Sequence, residues 1–133
     1  MVVRKIIYMF IAMLFFVACG NEHDISEPGA SGARKAAEYF YDLLAKGNGK
    51  AYVDNMQEAV EMDSCKYVQY VALMEQFLFE EQNLRGGILS SKATKDSLQD
   101  TMAIVYLDVL FGDSTREEVV LPVVYTYGRW WIK

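Results

Sequence analysis

The sequence predicts an α+β fold, with N-terminal helices packed on one face of a four-stranded antiparallel sheet and a signal peptide in front of them. Two observations carry this prediction. Hydrophobic residues recur at helical spacing before Gly86 and alternate with a period of two after Gly87. The predicted strands are joined by turns of hairpin length, and a run of helices followed by a run of strands is typical of α+β domains.

Residues 1–18 are predicted to form a signal peptide. Arg4 and Lys5 precede an unbroken apolar run over residues 6–18. A run of this length matches the apolar core of a signal peptide and is shorter than the roughly 20 residues that a membrane-spanning helix needs. The polar residues 19–30 follow as an expected flexible tether, and the folded domain is expected over residues 31–133.

The residues that end the apolar run, Phe16-Val17-Ala18, stand directly before Cys19. This arrangement resembles the lipobox of bacterial lipoproteins, although Phe16 stands where leucine is usual. The resemblance implies that residues 1–18 are removed and that Cys19 is lipidated, so that the chain is anchored to a bacterial membrane at the periplasmic face or the cell surface. The alternative is an ordinary signal peptide, or an uncleaved anchor, in which Cys19 has no special role.

The charge of the chain argues against nucleic acid as a partner. Loss of Arg4 and Lys5 with the signal peptide changes the net charge from −5 to −7. An acidic surface repels a phosphate backbone and gives no help in binding anionic lipids. The acyl chains on Cys19 are therefore the expected membrane attachment, and two or three such chains anchor a domain stably where one does not.

The expected domain does not contain the residues that several kinds of catalytic and binding site require. The one histidine, His23, lies in the expected tether, so a Ser-His-Asp or Cys-His arrangement is not expected in the domain. Metal sites built on histidine or cysteine lack ligands for the same reason. No glycine pattern matches a phosphate-binding or dinucleotide-binding loop, and no cofactor is expected.

Three helices are predicted from the apolar spacing, from serines that can cap an N-terminus and from glycines that end a helix. Their expected bounds are Ser31 to Gly47, residues 50–56, and Ser64 to Leu84. The third helix has a broad apolar face, with Glu81 expected on the solvent side. Cys65, near its start, has no partner for an intramolecular disulfide if Cys19 is lipidated, and it is expected to be a small buried residue. The alternative is a reactive thiol or an intermolecular disulfide.

Four strands are predicted after the helices, and the second has the clearest alternation. Their expected bounds are residues 88–95, 101–111, 115–127 and 130–132. Pro122 lies in the middle of the third strand, where it removes a ladder donor. A bulge or a partly unpaired edge is therefore expected there.

Two segments resemble a known superfamily. The sequence FYDLLAKGNGKAYVDNM, residues 40–56, is similar to the opening of nuclear transport factor 2-like domains. The ending YGRWWIK, residues 127–133, is similar to the close of the small lumazine-binding-like lipoprotein domains of unknown function in that superfamily. The resemblance implies a cone, in which a strongly curved sheet wraps around helices. It also implies a pocket at the open end and frequent pairing of two copies through the sheet.

The resemblance also raises the question of catalysis. Ketosteroid isomerase and scytalone dehydratase place aspartate and tyrosine on the concave sheet surface, and Asp108 and Tyr106 are the candidates here. A desolvated Asp108 would act as a general base. However, Asp108 is out of phase with the apolar residues of its strand, which favours a solvated carboxylate and a protein that is not an enzyme.

Aromatic residues crowd the end of the predicted sheet and are candidates for ligand binding: Tyr125, Tyr127, Trp130 and Trp131. Alternation points the two tryptophans to opposite faces. The leading hypothesis is a membrane-tethered, non-catalytic domain that binds an envelope protein partner or a small apolar ligand. The alternatives are an isomerase or dehydratase using Asp108 and Tyr106, and a structural module that forms homodimers through its sheet.

Overall fold

A computed structural model describes residues 24–133, so the predictions for residues 1–18 and Cys19 lie outside the described residues. A short 3-10 turn precedes helix α1, and a second one lies between helices α2 and α3. The helices are α1 (Gly29–Ala45), α2 (Gly49–Asp54) and α3 (Ser64–Arg85). The strands are β1 (Ile88–Gln99), β2 (Met102–Phe111), β3 (Arg116–Thr126) and β4 (Arg129–Ile132).

The four strands form one antiparallel sheet in the order β1-β2-β3-β4, so each strand pairs with its neighbour in the chain. This arrangement confirms the predicted α+β fold of helices on a four-stranded sheet. Between residues 24 and 133, no helix is both long and apolar enough to cross a membrane.

Helix α1 covers one side of this sheet, which we call the inner face. Small side chains let the helix approach the strands closely, and Phe40 fills the space that remains. The α1 residues Ala33, Ala36, Ala37 and Phe40 are all 0% exposed. They share one buried cluster with inner-face residues of all four strands, and β1 is the strand that α1 contacts most. The strand members of the cluster include Ala93, Val105, Leu107, Val109, Val123 and Trp130.

Strand β1 is longer than predicted and continues to Gln99, which pairs with Met102. The register shifts between Ala93 and Lys95, so the inward-facing residues skip from Ala93 to Asp96. A shift of this kind interrupts the period of two on which strand prediction depends. The register shift is therefore the reason why the sequence predicts a shorter strand, over residues 88–95.

Pro122 lies in a continuous register with β2, opposite Ile104, and there is no bulge at this pair. The carbonyl oxygen of Pro122 accepts a hydrogen bond from the backbone N–H of Lys133, 3.0 Å away. The two backbone polar atoms of a strand residue point to the same side, so the proline nitrogen faces the β4 side, just beyond the end of that strand. The predicted partial edge is confirmed, and the ladder to β2 is intact.

Helix α3 differs most from expectation. Its expected solvent-side residue Glu81 is buried, because its carboxylate pairs with Arg85 at 3.0 Å against the body of the domain. Arg85 also reaches Glu117 at 2.7 Å and lies over the Phe111 ring. Cys65 is exposed rather than buried.

The C-terminal end of α3 is locked to the turn between β2 and β3 by close backbone contact. Gly86 ends the helix with a φ of 76°, and the N–H of Gly112 donates to the carbonyl of Gly87 at 2.8 Å. A Cβ on Gly112 would lie 2.3 Å from the carbonyl oxygen of Gly86. Glycine at position 112 is therefore required by contact with backbone that has no freedom to move aside.

We expect Gly112→Ala to lower the free energy of unfolding by about 3 kcal/mol, the upper end of the usual cost of overpacking. Gly47→Ala is the matched control, because Gly47 has a φ of 76° but open space around its Cβ position. Its expected cost is about 1 kcal/mol, from backbone conformation alone. Chemical denaturation of both variants measures the difference, and equal losses would contradict the contact.

Candidate functional site

The side of the sheet opposite α1, which we call the open face, has an apolar centre. It is built from the residues that alternate with the inner-face residues along β2, β3 and β4. Its apolar members are Met102, Ile104, Tyr106, Val120, Pro122, Val124 and Trp131. Cross-strand pairs bring them together, since Ile104 lies opposite Pro122 and Tyr106 lies opposite Val120.

Exposure distinguishes this surface from the core. Ile104 is 38% exposed and Val120 is 51% exposed, whereas their neighbours on the inner face are buried. Strands with apolar residues on both faces are typical of sheets covered on both sides. The run TMAIVYLDVLF, residues 101–111, carries that signal, but we assigned only one of its two apolar faces from the sequence.

Charged side chains border the open face. Asp108 accepts a hydrogen bond from Arg116 at 2.8 Å, and its side chain is 38% exposed. The ammonium of Lys95 lies 4.4 Å from the centre of the Tyr106 ring. The structure therefore places Tyr106 and Asp108 together on the open face, away from the helix-covered face. An apolar centre with a polar rim is the usual composition of a protein interface.

Trp131 reaches the open face from β4 and is fixed there by its neighbours. Its indole N–H donates to the carbonyl of Thr126 at 3.0 Å, and the guanidinium of Arg129 stacks over its ring at 3.8 Å. Burial lowers the pKa of Arg129, an effect that Tyr39 partly offsets. The guanidinium nevertheless keeps its charge at neutral pH. It also donates to Asn55, which connects the sheet to the end of α2.

Trp130 points to the other side, as the alternation predicts, and is only 1% exposed. Its indole N–H donates to the carbonyl of Glu27 at 2.7 Å. Tyr125 packs edge-on against Trp130, with ring centres 5.2 Å apart, and its hydroxyl donates to the carbonyl of Ser26 at 2.9 Å. The polar groups of both side chains thus hold the segment that leads into α1, and α1 begins at Gly29, before the expected Ser31.

Tyr127 occupies the turn between β3 and β4 and is 87% exposed. Tyr127 and Gly128 have φ values of 53° and 76°, the signature of a tight hairpin turn with both residues in the left-handed region. Tyr127 and Trp131 border a cleft of about 260 Å³ whose other wall carries Glu58 and Glu61. The four aromatic candidates are therefore divided among the core, the open face and a turn.

The described residues, 24–133, contain no group of three or more histidine, cysteine, aspartate or glutamate side chains that could hold a metal ion. The fully buried Phe40, Leu107 and Trp130 fill the space between α1 and the inner face. The surface that remains for recognition comprises the open face, the clefts beside it and the outside of α3.

Comparison with known proteins gives one informative result. No protein-family model matches the chain, and no curated protein matches its sequence. The fold is similar to the crystal structure of a Campylobacter jejuni protein assigned as a nuclear transport factor 2-like transpeptidase. The TM-score is 0.55 and the identity 14%, over 73% of this chain and 93% of that chain. The expected nuclear transport factor 2-like fold is confirmed.

The two tryptophans allow a matched test of these assignments. Trp130→Phe removes the bond to Glu27 and leaves a cavity in the core, so we expect unfolding to become easier by about 3 kcal/mol. Trp131→Phe removes a bond at a partly exposed position, and about 1 kcal/mol is expected. Denaturant titration followed by the fluorescence of the remaining tryptophan measures both. A larger loss for Trp131→Phe would mean that the assignments are reversed.

Proposed function

We propose that this protein is an exported, lipid-anchored and non-catalytic binding domain that docks a protein partner through the open face. In this proposal residues 1–18 are removed, Cys19 carries the lipid, and the domain lies in the cell envelope. The observation that carries the proposal is the apolar centre of the open face, where Ile104 and Val120 stay accessible at 38% and 51%. Contiguous apolar surface with a polar rim marks an interaction site more often than an isolated exposed side chain does.

A catalytic role for Asp108 and Tyr106 has less support. A general base at neutral pH needs a raised pKa, which desolvation or a neighbouring negative charge supplies. The carboxylate of Asp108 is 38% exposed and is held by the guanidinium of Arg116 at 2.8 Å, so it is not presented to a substrate in an enclosed site. The named activity of the Campylobacter protein belongs to that protein, and 14% identity supports the fold alone.

The second candidate is a small apolar ligand that binds in one of the clefts. The fold family suggests a pocket between helices and sheet, but the polar groups of Tyr125 and Trp130 already bind Ser26 and Glu27. Native mass spectrometry of the full chain purified from its host membranes in mild detergent distinguishes the two. A retained small molecule supports the ligand, and its absence supports the protein partner.

The lipid anchor is tested by Cys19→Ala. We expect this variant to lose incorporation of a radiolabelled fatty acid and to leave the membrane fraction, because the proposed lipid is the attachment of an acidic domain from which residues 1–18 are removed. Cys65→Ala is the matched control, since Cys65 is exposed on α3 and should not be acylated. Retention of Cys19→Ala in the membrane fraction, with undiminished labelling, would overturn the anchor.

The open face is tested by a photo-cross-linking phenylalanine analogue in place of Val120, in the full chain and in living cells. We expect a discrete adduct larger than two copies of the chain, which Ile104→Glu abolishes. The same analogue at Leu89, which is 57% exposed and lies beside α1 rather than on the open face, is the matched control and should give no such adduct. Equal adducts at both positions would contradict the proposal, and an adduct of two copies would favour the homodimer through the sheet.

A further inference from the structure

Helix α3 has far more apolar surface than the domain covers. Only one of its 22 residues is buried, whereas α1 buries seven of its 17. The large side chains left in solvent include Val68 at 63%, Leu73 at 63%, Phe79 at 68% and Leu84 at 75%. A helix with apolar residues on most of its circumference is normally covered on more than one side. Helix α2 covers only one side of α3 here.

One flank of α3 carries a heptad pattern. Successive intervals of four and three residues connect Lys66, Tyr70, Leu73, Phe77, Glu80 and Leu84. Intervals that alternate in this way place side chains on a single seam, which is the arrangement of the a and d positions in a coiled coil. Four of the six positions are apolar or aromatic. We call these six residues the α3 seam.

An apolar groove runs beside the seam. Val53 and Met56, at the end of α2, form one wall, and Tyr70, Leu73 and Met74 of α3 form the other. The groove has a volume of about 220 Å³. Aromatic side chains that insert into such pockets contribute most of the binding energy at many interfaces. Phe77, 40% exposed and one turn along the seam from Leu73, is the aromatic side chain that a second copy would offer.

We propose that α3 pairs with α3 of a second copy of this chain in an antiparallel, two-fold arrangement along the α3 seam. With the axis beside Glu75, Leu73 of each copy meets Phe77 of the other, and Phe77 reaches the groove next to it. Because a two-fold interface uses the same surface on both copies, each contact occurs twice. In an antiparallel coiled coil, each a position lies opposite a d position. Along the α3 seam Leu73 is a d position and Phe77 is an a position, so the two contacts between them obey this rule.

The charges on the seam decide the direction of pairing. Lys66 and Glu80 are its charged members and have opposite signs. In an antiparallel pair, Lys66 of one copy lies opposite Leu84 of the other, which is four residues or about 6 Å along the helix axis from Glu80. In a parallel pair, each would face its own kind, which is unfavourable. A second copy therefore fits the seam in one direction.

Cysteine cross-linking tests the register in the full chain in its membrane. In a Cys65→Ser background, Lys66→Cys and Leu84→Cys are expressed separately and together, and a mild oxidant is added. We expect a disulfide dimer only when both variants are present, because positions 66 and 84 are opposed in the antiparallel pair. When only one variant is present, each cysteine could pair only with the same position of the second copy. In the antiparallel pair those two positions are about 27 Å apart along the helix axis. A dimer of Lys66→Cys alone would mean parallel pairing and overturn the proposal, as would no dimer at all.

Two further variants separate pairing from folding. Phe77→Lys should reduce the mixed disulfide about tenfold or more, as loss of an interface anchor does. Phe79→Lys, on the opposite flank of the same helix, is the matched control and should leave it unchanged. Circular dichroism checks that both variants are folded. Equal effects of the two lysines would contradict the proposed seam.

The charge argument has its own test. For this test, Gln76→Cys places one cysteine of each copy near the two-fold axis, and the disulfide between them reports pairing. Lys66→Glu should weaken this cross-link, and Lys66→Glu combined with Glu80→Lys should restore it. Restoration by the exchange is not expected if the two side chains act only within one copy. Val120→Lys on the open face should leave the cross-link unchanged, which distinguishes the α3 seam from pairing through the sheet. Loss with Val120→Lys and not with Phe77→Lys would assign the dimer to the sheet.

Discussion

The structure depends on the close packing of α1 against the inner face of the sheet. Alanines at three positions of α1 bring the helix near the strands, and Phe40 is fully buried between them. One helix can cover only one face of four strands. The packing that stabilises the domain therefore also leaves the open face and most of α3 accessible, and both surfaces proposed for recognition follow from that limit.

Most of the fold was predictable from the sequence because the relevant signals are local. The change of hydrophobic period near Gly86, the glycines between elements and the alternation of β2 all act over a few residues. The poorer predictions involve distant partners. The register shift of β1 is defined only by its pairing with β2, and the burial of Glu81 depends on Arg85 and the approach of β3. An apolar face on α3 was visible in the sequence, but whether another element covers it was not.

The candidate site was predicted in part for the same reason. Strand alternation correctly placed Trp130 and Trp131 on opposite faces, and it placed Asp108 out of phase with the core. The pattern carried no information on hydrogen-bond partners. The bonds from Trp130 and Tyr125 to the backbone of residues 26–27 span about a hundred positions of sequence, and they change the role of both side chains from candidate ligand contacts to structural anchors.

If Cys19 carries a lipid, as proposed, the same two bonds limit how far the domain can move from the membrane. The residues that the structure describes begin with a short turn at Asp24, five positions after Cys19 in the sequence. A chain extends by at most about 3.6 Å per residue, so a lipid on Cys19 would keep Asp24 within about 18 Å of the bilayer surface. This maximum distance is comparable to the radius of a domain of about 100 residues, roughly 13 Å. Encounters would then be confined to a thin layer along the membrane, where neighbours meet by lateral diffusion and at high local concentration.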